Sequence, residues 1–392
     1  MPQHYTYLLI GGGMTADAAV HGIRQLDPDG SIGIISAESH PPYDRPPLSK
    51  KMWQGKPLDS IWRRTENQNV ELHLKRKAQG IDLRSRQITD DQGTIYTFDK
   101  LLLATGGTPR RLPVNAEGVI YFRTLADYQL LRERVEQGGR FAVIGGGFIG
   151  SEIAAALAMN GQEVVLIFPD AGIGGRTFPA DLARFLNDYY RQKGVTVLAG
   201  ERVNAIEKRN GQYVLRTASG QAVTADHVVA GLGIQPNTAL AERAGLVVDN
   251  GIHVDEFLRT SVPTIYAAGD VANFYNPTLN TRLRVEHEDN ANSMGEMAGR
   301  SMAGDAVAYH YLPFFYSDLF DLGYEAVGAL DARLETVIDW QEPYQKGVIY
   351  YLKDRRIRGV LLWNVWGQVA AARALIAAGQ TVTPEALAGS IK

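Results

Sequence analysis

The sequence predicts an α/β protein with two parallel-sheet units and a C-terminal α+β domain built on an antiparallel sheet. Three observations predict it. Apolar strands run into glycine-rich turns and then helices at "YLLIGGGMTADAA" (residues 7–19) and again at "FAVIGGGFIGSE" (141–152). Each is followed by another apolar strand, "SIGIIS" or "EVVLIF", and strand–helix–strand order implies parallel pairing with a crossover helix. From about residue 312 the texture turns aromatic and alternating, as in "GVIYYLKD" and "RGVLLWNVW", the pattern of antiparallel strands.

In chain order, strand "YTYLLI" leads through the first turn to a helix near 15–26 and strand "SIGIIS". The stretch "ESHPPYDRPPLSK" carries four prolines between Pro41 and Pro47 and cannot be an interior strand or helix. "KLLLATGGTPR" (100–110) reads as a buried strand ending in glycines. The pattern then restarts with strand "RFAVIGG", helix "SEIAAALAMNG" and strand "EVVLIF", and "HVVAGLG" (227–233) ends this second unit. "TIYAAGDVA" (264–272) is a further strand, expected to return to the first unit, and a helix near 367–378 closes the chain.

At 392 residues the chain exceeds one ordinary core, so two or three domains are expected. Hydrophobic content of 45% with 21% charged residues is that of a soluble globular protein. A net charge of −3 argues against nucleic acid or a membrane surface as partner. The basic runs "LKRK" (74–77) and "KDRRIR" (353–358) read as solvated faces, although a local patch can attract an acidic protein. The sequence contains no cysteine, which excludes thiolate metal sites, iron–sulfur ligation and a dithiol relay; no metal site is expected. It also fits a reducing compartment. No apolar stretch approaches the roughly 20 residues of a membrane helix, and the N-terminus shows no targeting pattern. A cytoplasmic location is expected.

The two turns share a physical task. In such a turn one glycine makes the tight strand-to-helix bend, a second lets the backbone approach a pyrophosphate, and a third small residue allows helix and strand to pack. Gly145, Gly147 and Gly150 fit this Rossmann-like pattern, and Gly11, Gly13 and Ala16 fit it with alanine third. Thr15 in the first turn, and Phe148 and Ile149 in the second, lie at the helix starts beside the expected ligands. An acid about 20 residues on receives the adenosine ribose hydroxyls. Asp170 stands 20 residues beyond Gly150, and Glu38 stands 22 beyond Ala16. Either also reads as a surface acid at a strand end. Two dinucleotide sites in one chain suggest a flavin and a nicotinamide, hence FAD and NAD(P)H.

The motifs "PYDRPPLSK", "LLLATGGTPR", "IGGGFIGSE" and "AAGD" together resemble the FAD-dependent pyridine nucleotide oxidoreductases of the ferredoxin reductase type. Within that family the apoptosis-inducing factor group is the nearer match, carried by "IFPDAGIGGRTFP" (167–179), "LRVEHEDNA" (283–291), "SDLFDLGYEAVG" (317–328) and "GVIYYLKD…GVLLWNVW" (347–366). The resemblance spans nearly the whole chain. It implies an FAD domain in two segments (1–113 and 234–311), an inserted NAD domain (114–233) and a C-terminal domain (312–392). It also implies that Arg45 and Arg110 contact FAD, and that Thr105 and Gly106, after Ala104, approach its pyrophosphate and ribityl chain with Gly269 and Asp270. Glu286 and His287 would sit beside the reacting rings, with Glu325 closing the nicotinamide pocket and Gly233 lining the cofactor crevice.

Lys50 ends the proline segment and Glu152 follows the second glycine turn; the resemblance places such a pair beside the flavin. With His287 they are the candidate catalytic residues. Three positions depart from the family pattern. Tyr316 replaces a tryptophan, Ala171 replaces a lysine common after the ribose acid, and Ala37 stands where the first ribose acid is usual.

The expected activity is that of an FAD-containing oxidoreductase, with NADH preferred over NADPH and electrons passed to a quinone, oxygen or another acceptor. Two alternatives stay open. One is a ferredoxin or rubredoxin reductase, and the other is an NADH-responsive redox sensor with slow turnover, in which a homodimer could be the output.

Overall fold

The computed structural model describes residues 2–114 and 117–391, and these form two units. The first comprises Met1–Asp44, Pro57–Thr108 and Gln235–Pro313; the second comprises Arg45–Lys56, Pro109–Ile234 and Phe314–Lys392.

In the first unit, strand Gln3–Ile10 lies between Ile32–Ser36 and Ile95–Leu103, parallel to both, and Val70–Leu74 extends the sheet beyond Ile32–Ser36. Ile265–Ala267 adds in parallel to the C-terminal half of Ile95–Leu103. The N-terminal half of that strand instead takes antiparallel Gln87–Asp90, with Ala78–Asp82 outermost. Leu8, Leu9, Ile34 and Leu101 to Leu103 are completely buried. A parallel strand covered on both faces is for that reason a continuous apolar run.

Helix Met14–Arg24 is crossed by Glu288–Met302 at glycines. A Cβ on Gly299 would sit 2.1 Å from the Ala19 carbonyl oxygen, one on Gly22 would sit 2.1 Å from that of Glu296, and one on Gly295 would meet Thr15. The backbones touch, which fixes the helix that leaves the first glycine turn.

In the second unit the parallel order is Thr196–Ala199, Glu163–Phe168, Arg140–Ile144, His227–Ala230, Ile120–Tyr121. Helix Phe148–Met159 starts inside the glycine turn rather than at Ser151, because Gly147 serves as its N-cap. A separate antiparallel sheet, Val203–Arg209, Gln212–Thr217 and Ala222–Ala225, interrupts the strand–helix rhythm. The C-terminal five-stranded sheet is antiparallel, in the order Phe314–Leu319, Leu322–Gly328, Arg356–Trp363, Lys346–Lys353, Glu335–Glu342. Helix Val369–Ala378 packs on its Leu322–Gly328 and Arg356–Trp363 strands. The fold class is therefore the one the sequence predicts. In one basic run Lys75 and Lys77 are exposed as expected, and a single residue differs. Arg76 of "LKRK" is no free surface charge, since its Nη1 lies 3.3 Å from the fully buried carboxylate of Asp90.

The helix crossing gives a test. Glycine to alanine in a helix interior ordinarily stabilises by about 1 kcal/mol. Gly299→Ala should instead destabilise by roughly 1–3 kcal/mol, because its methyl overlaps backbone that cannot yield cheaply. Urea unfolding of the variant, followed by circular dichroism, should show a lowered midpoint.

Candidate functional site

The first glycine turn is set by close backbone approach. Gly11 has φ +114°, and a Cβ there would lie 2.1 Å from the Ala104 carbonyl oxygen. Gly12 abuts Ser36 in the same way. Gly13 is the N-cap of Met14–Arg24 and makes no side-chain cap, so the first N–H groups of that helix face outward to whatever binds there. Thr15 and Ala16 are buried beneath it. Gly269, at φ +75°, comes so near that a Cβ would meet the Thr15 hydroxyl at 2.3 Å. Glu38 lies just past strand Ile32–Ser36 and accepts a 2.6 Å hydrogen bond from the Tyr43 hydroxyl.

The "ATGGT" loop of the same unit is held by a residue that motif reasoning missed. The Asn237 amide donates to the Thr105 carbonyl, the Thr105 hydroxyl donates to the Asn237 carbonyl, and the Asn237 N–H donates to Gly106. Its signal in the sequence is faint, an asparagine after "IQP". Asp17 was missed too. Buried directly after Ala16, it accepts from Arg63 Nε at 2.7 Å and from Thr65 at 2.5 Å, while the Arg63 guanidinium also grips Asn292. This ties both crossing helices to the segment following the prolines. Near the start of the second helix, Arg284 pairs with Glu286 at 2.6 Å and donates to the Asp270 carbonyl. His287 is the N-cap of Glu288–Met302.

The second turn repeats the geometry. Gly145 has φ +117° and its Cβ would strike Gly231; a Cβ on Gly150 would lie 1.8 Å from the Gly145 carbonyl oxygen. Gly147 differs. Its φ of −84° suits any residue, and a Cβ would have nothing within 4 Å. No intramolecular contact requires glycine there, whereas a pyrophosphate lying on the N–H groups of helix Phe148–Met159 does. The second turn fits a dinucleotide on that ground, and the first fits one by the uncapped start of its helix at Gly13. Ile149 is exposed beside it and Phe148 packs on Phe315 at 5.3 Å. Asp170 stands two residues past strand Glu163–Phe168, with Arg176 Nε at 3.4 Å from its carboxylate. Gly233 accepts from the Arg110 N–H, and Arg45 donates to the Arg123 carbonyl.

Also in the second unit, Lys50 and Glu152 meet. Their charged atoms are 2.8 Å apart, with side chains 9% and 2% exposed. Ser49 donates to the other carboxylate oxygen at 2.6 Å, and Ser317 donates to the lysine-bound one at 2.5 Å. The Lys50 ammonium also lies 5.3 Å from the centroid of the Tyr316 ring, within cation–π range. Trp53, donating to the Leu48 carbonyl and packed edge-on against Tyr128, anchors the segment that presents Lys50. Burial holds the Asp318 carboxyl above its ordinary range, against the pull of Lys50. Glu325, opposite Tyr316 in the sheet, accepts from the Gly367 N–H.

Two variants separate ligand from fold at the second turn. Gly150→Val should unfold the unit or prevent expression. Gly147→Val should keep the melting temperature, because its side chain enters open space, yet weaken nicotinamide dinucleotide binding by more than about tenfold, or 1.4 kcal/mol. Calorimetric titration with NADH beside thermal melts of both proteins reads the difference.

The comparisons agree with this geometry. The pyridine nucleotide-disulphide oxidoreductase model matches residues 5–295, and the C-terminal model of mitochondrion-associated apoptosis-inducing factor matches 338–378. The chain is 34% identical to apoptosis-inducing factor 1, mitochondrial, of Dictyostelium discoideum, over 97% of this chain and 80% of that one. It is also 34% identical to the 5,5'-dehydrodivanillate O-demethylase ferredoxin reductase subunit of a Sphingobium species, over 98% and 96%. The solved covalent complex of putidaredoxin reductase with putidaredoxin superposes with a TM-score of 0.91 at 28% identity, covering 97% of this chain and 95% of that one. With two dinucleotide turns and matches along nearly its whole length, the chain belongs to the pyridine nucleotide-disulphide oxidoreductase family and is a flavin-dependent NAD(P)H oxidoreductase.

Proposed function

We propose that the chain oxidises NADH in preference to NADPH and delivers the electrons to an external acceptor. FAD, when bound, supplies hydride acceptance from the nicotinamide and onward release of electrons singly or in pairs. The remaining work belongs to the chain's own residues. Gly11, Gly13, Thr15 and Ala16, with Thr105, Gly106, Gly269 and Asp270, are assigned to FAD. Gly145, Gly147, Phe148, Ile149 and Gly150, with Glu325, are assigned to the nicotinamide nucleotide. Lys50 favours negative charge on the flavin, and Glu152 keeps Lys50 in place. His287, at the head of a helix, is assigned to the reacting end of the site. In this reading residues 1–113 and 234–311 make the FAD domain, 114–233 the NAD domain and 312–392 the C-terminal domain.

The observation that carries the reading is Gly147, a glycine with no internal reason, followed by Asp170 at the end of the next strand. Asp170 accepts ribose hydroxyls and repels a 2′-phosphate. Arg176 could reverse that preference, but it is engaged with Asp170 in an exposed pair. Such pairs contribute about 0–1 kcal/mol, so ribose hydroxyls can displace the arginine from Asp170, and the preference rests on the Asp170 carboxylate. A redox protein is the acceptor favoured by the putidaredoxin reductase likeness; a quinone or oxygen is the second reading.

Steady-state kinetics should give a kcat/KM for NADH at least about tenfold above that for NADPH. Asp170→Ala should narrow the ratio by weakening NADH rather than by strengthening the chemical step. Equal efficiency with the two nucleotides in the parent protein would overturn the assignment. With NADH saturating, a panel of ferredoxin, quinone and oxygen separates the acceptor classes by turnover.

A further inference from the structure

We propose that Ser49 and Ser317 are positioning residues for Lys50, acting through Glu152; the inference rests on the reading that Lys50 tunes the flavin. Three segments of the second unit converge here: Pro46–Ser49 with Lys50 after it, helix Phe148–Met159, and strand Phe314–Leu319. Ser49, Ser317 and Glu152 are 4%, 1% and 3% exposed. The ionised carboxylate can only accept. Ser49 occupies one oxygen, and Ser317 shares the other with Lys50.

The arrangement is poorly explained as a stabiliser. A buried ion pair gains little over apolar residues of the same shape, because desolvation consumes its attraction. What it does supply is direction. With both oxygens committed to hydroxyls on two different segments, the carboxylate cannot rotate about its axis without breaking a buried hydrogen bond. The ammonium at 2.8 Å is therefore held at one point. The strand that carries Ser317 also carries Tyr316, whose ring receives the same ammonium. Adjacent residues on one strand thus fix both the anion and the aromatic face that locate Lys50. Ser317 pairs with fully buried Tyr324 across the sheet, so the backbone that carries the serine is itself fixed.

The test compares Ser49→Ala, Ser317→Ala, Ser317→Thr and Lys50→Ala with the parent, all as FAD-loaded protein. Three quantities are read: the flavin midpoint potential, the rate of reduction by NADH, and protection of Lys50 from an amine-acylating reagent by peptide mass spectrometry. Each alanine variant should shift the potential in the direction of Lys50→Ala, slow reduction about fivefold with KM for NADH unchanged, and expose Lys50 to acylation. Ser317→Thr keeps the hydroxyl and should restore all three. Where an alanine variant binds too little FAD, acylation of the flavin-stripped parent and variant still decides the placement. Parent-like potential, rate and protection in both alanine variants, with Lys50→Ala shifted, would overturn the positioning role alone. An unshifted Lys50→Ala would overturn the reading beneath it.

Discussion

A helix can start against the end of a parallel strand only where no side chain occupies the space between them. That constraint shapes both halves of this protein. Gly11 lies on the Ala104 carbonyl, Gly145 on Gly231, and Gly150 on Gly145 itself. None of these contacts needs a ligand; they need the absence of a Cβ. Once they exist, the first turn of each helix is left with N–H groups that no carbonyl can reach. The open helix starts are thus a by-product of tight packing, and Gly147 is the position where no contact within the fold demands the glycine. In the first unit the same economy of side chains recurs one layer further out, where Gly295 and Gly299 let a second helix touch the first. The helix that bears the turn is held from two sides by backbone.

Charge enters the second unit under a different constraint. Lys50 and Glu152 are almost wholly withdrawn from solvent, and an unpaired ion there would be costly. The fold meets this by bringing hydroxyls from residues 49 and 317 to the carboxylate. A site of this kind tolerates few substitutions, since removal of one partner leaves a buried polar atom unsatisfied. Asp17, answered by Arg63 and Thr65, is the first unit's counterpart.

The turns were legible because their signal is local. Glycine spacing, a preceding apolar run and a following helix all fall within about 15 residues, and each has one physical meaning. The C-terminal sheet was legible from alternation for the same reason. Asn237, Asp17, Ser49 and Ser317 were not. Each is a short polar residue whose role depends on a partner 46 to 165 positions away, and nothing in the local sequence marks it. Ser317 stood inside a quoted motif, yet serine in a strand reads as an ordinary exposed position until the carboxylate on another helix is seen beneath it. Arg76 was misjudged in the converse way, because its buried partner Asp90 lies across a hairpin.

The cysteine-free sequence makes these charges matter more. Family members that relay electrons through a dithiol can divide the redox work between two groups; this sequence has no cysteine with which to do so. Electrons must then leave from the flavin directly, and the driving force for both half-reactions is set at one ring. The means available are fixed charges, helix N-termini and exclusion of water. Lys50 is paired with a carboxylate that hydroxyls on two further segments hold in turn. A mobile surface lysine would spread the same charge over many positions and be screened by solvent within a Debye length of about 8 Å. If Lys50 acts on the flavin as proposed, precise placement would turn an ordinary ammonium into a setting of the potential, and the buried serines would be what secures that placement.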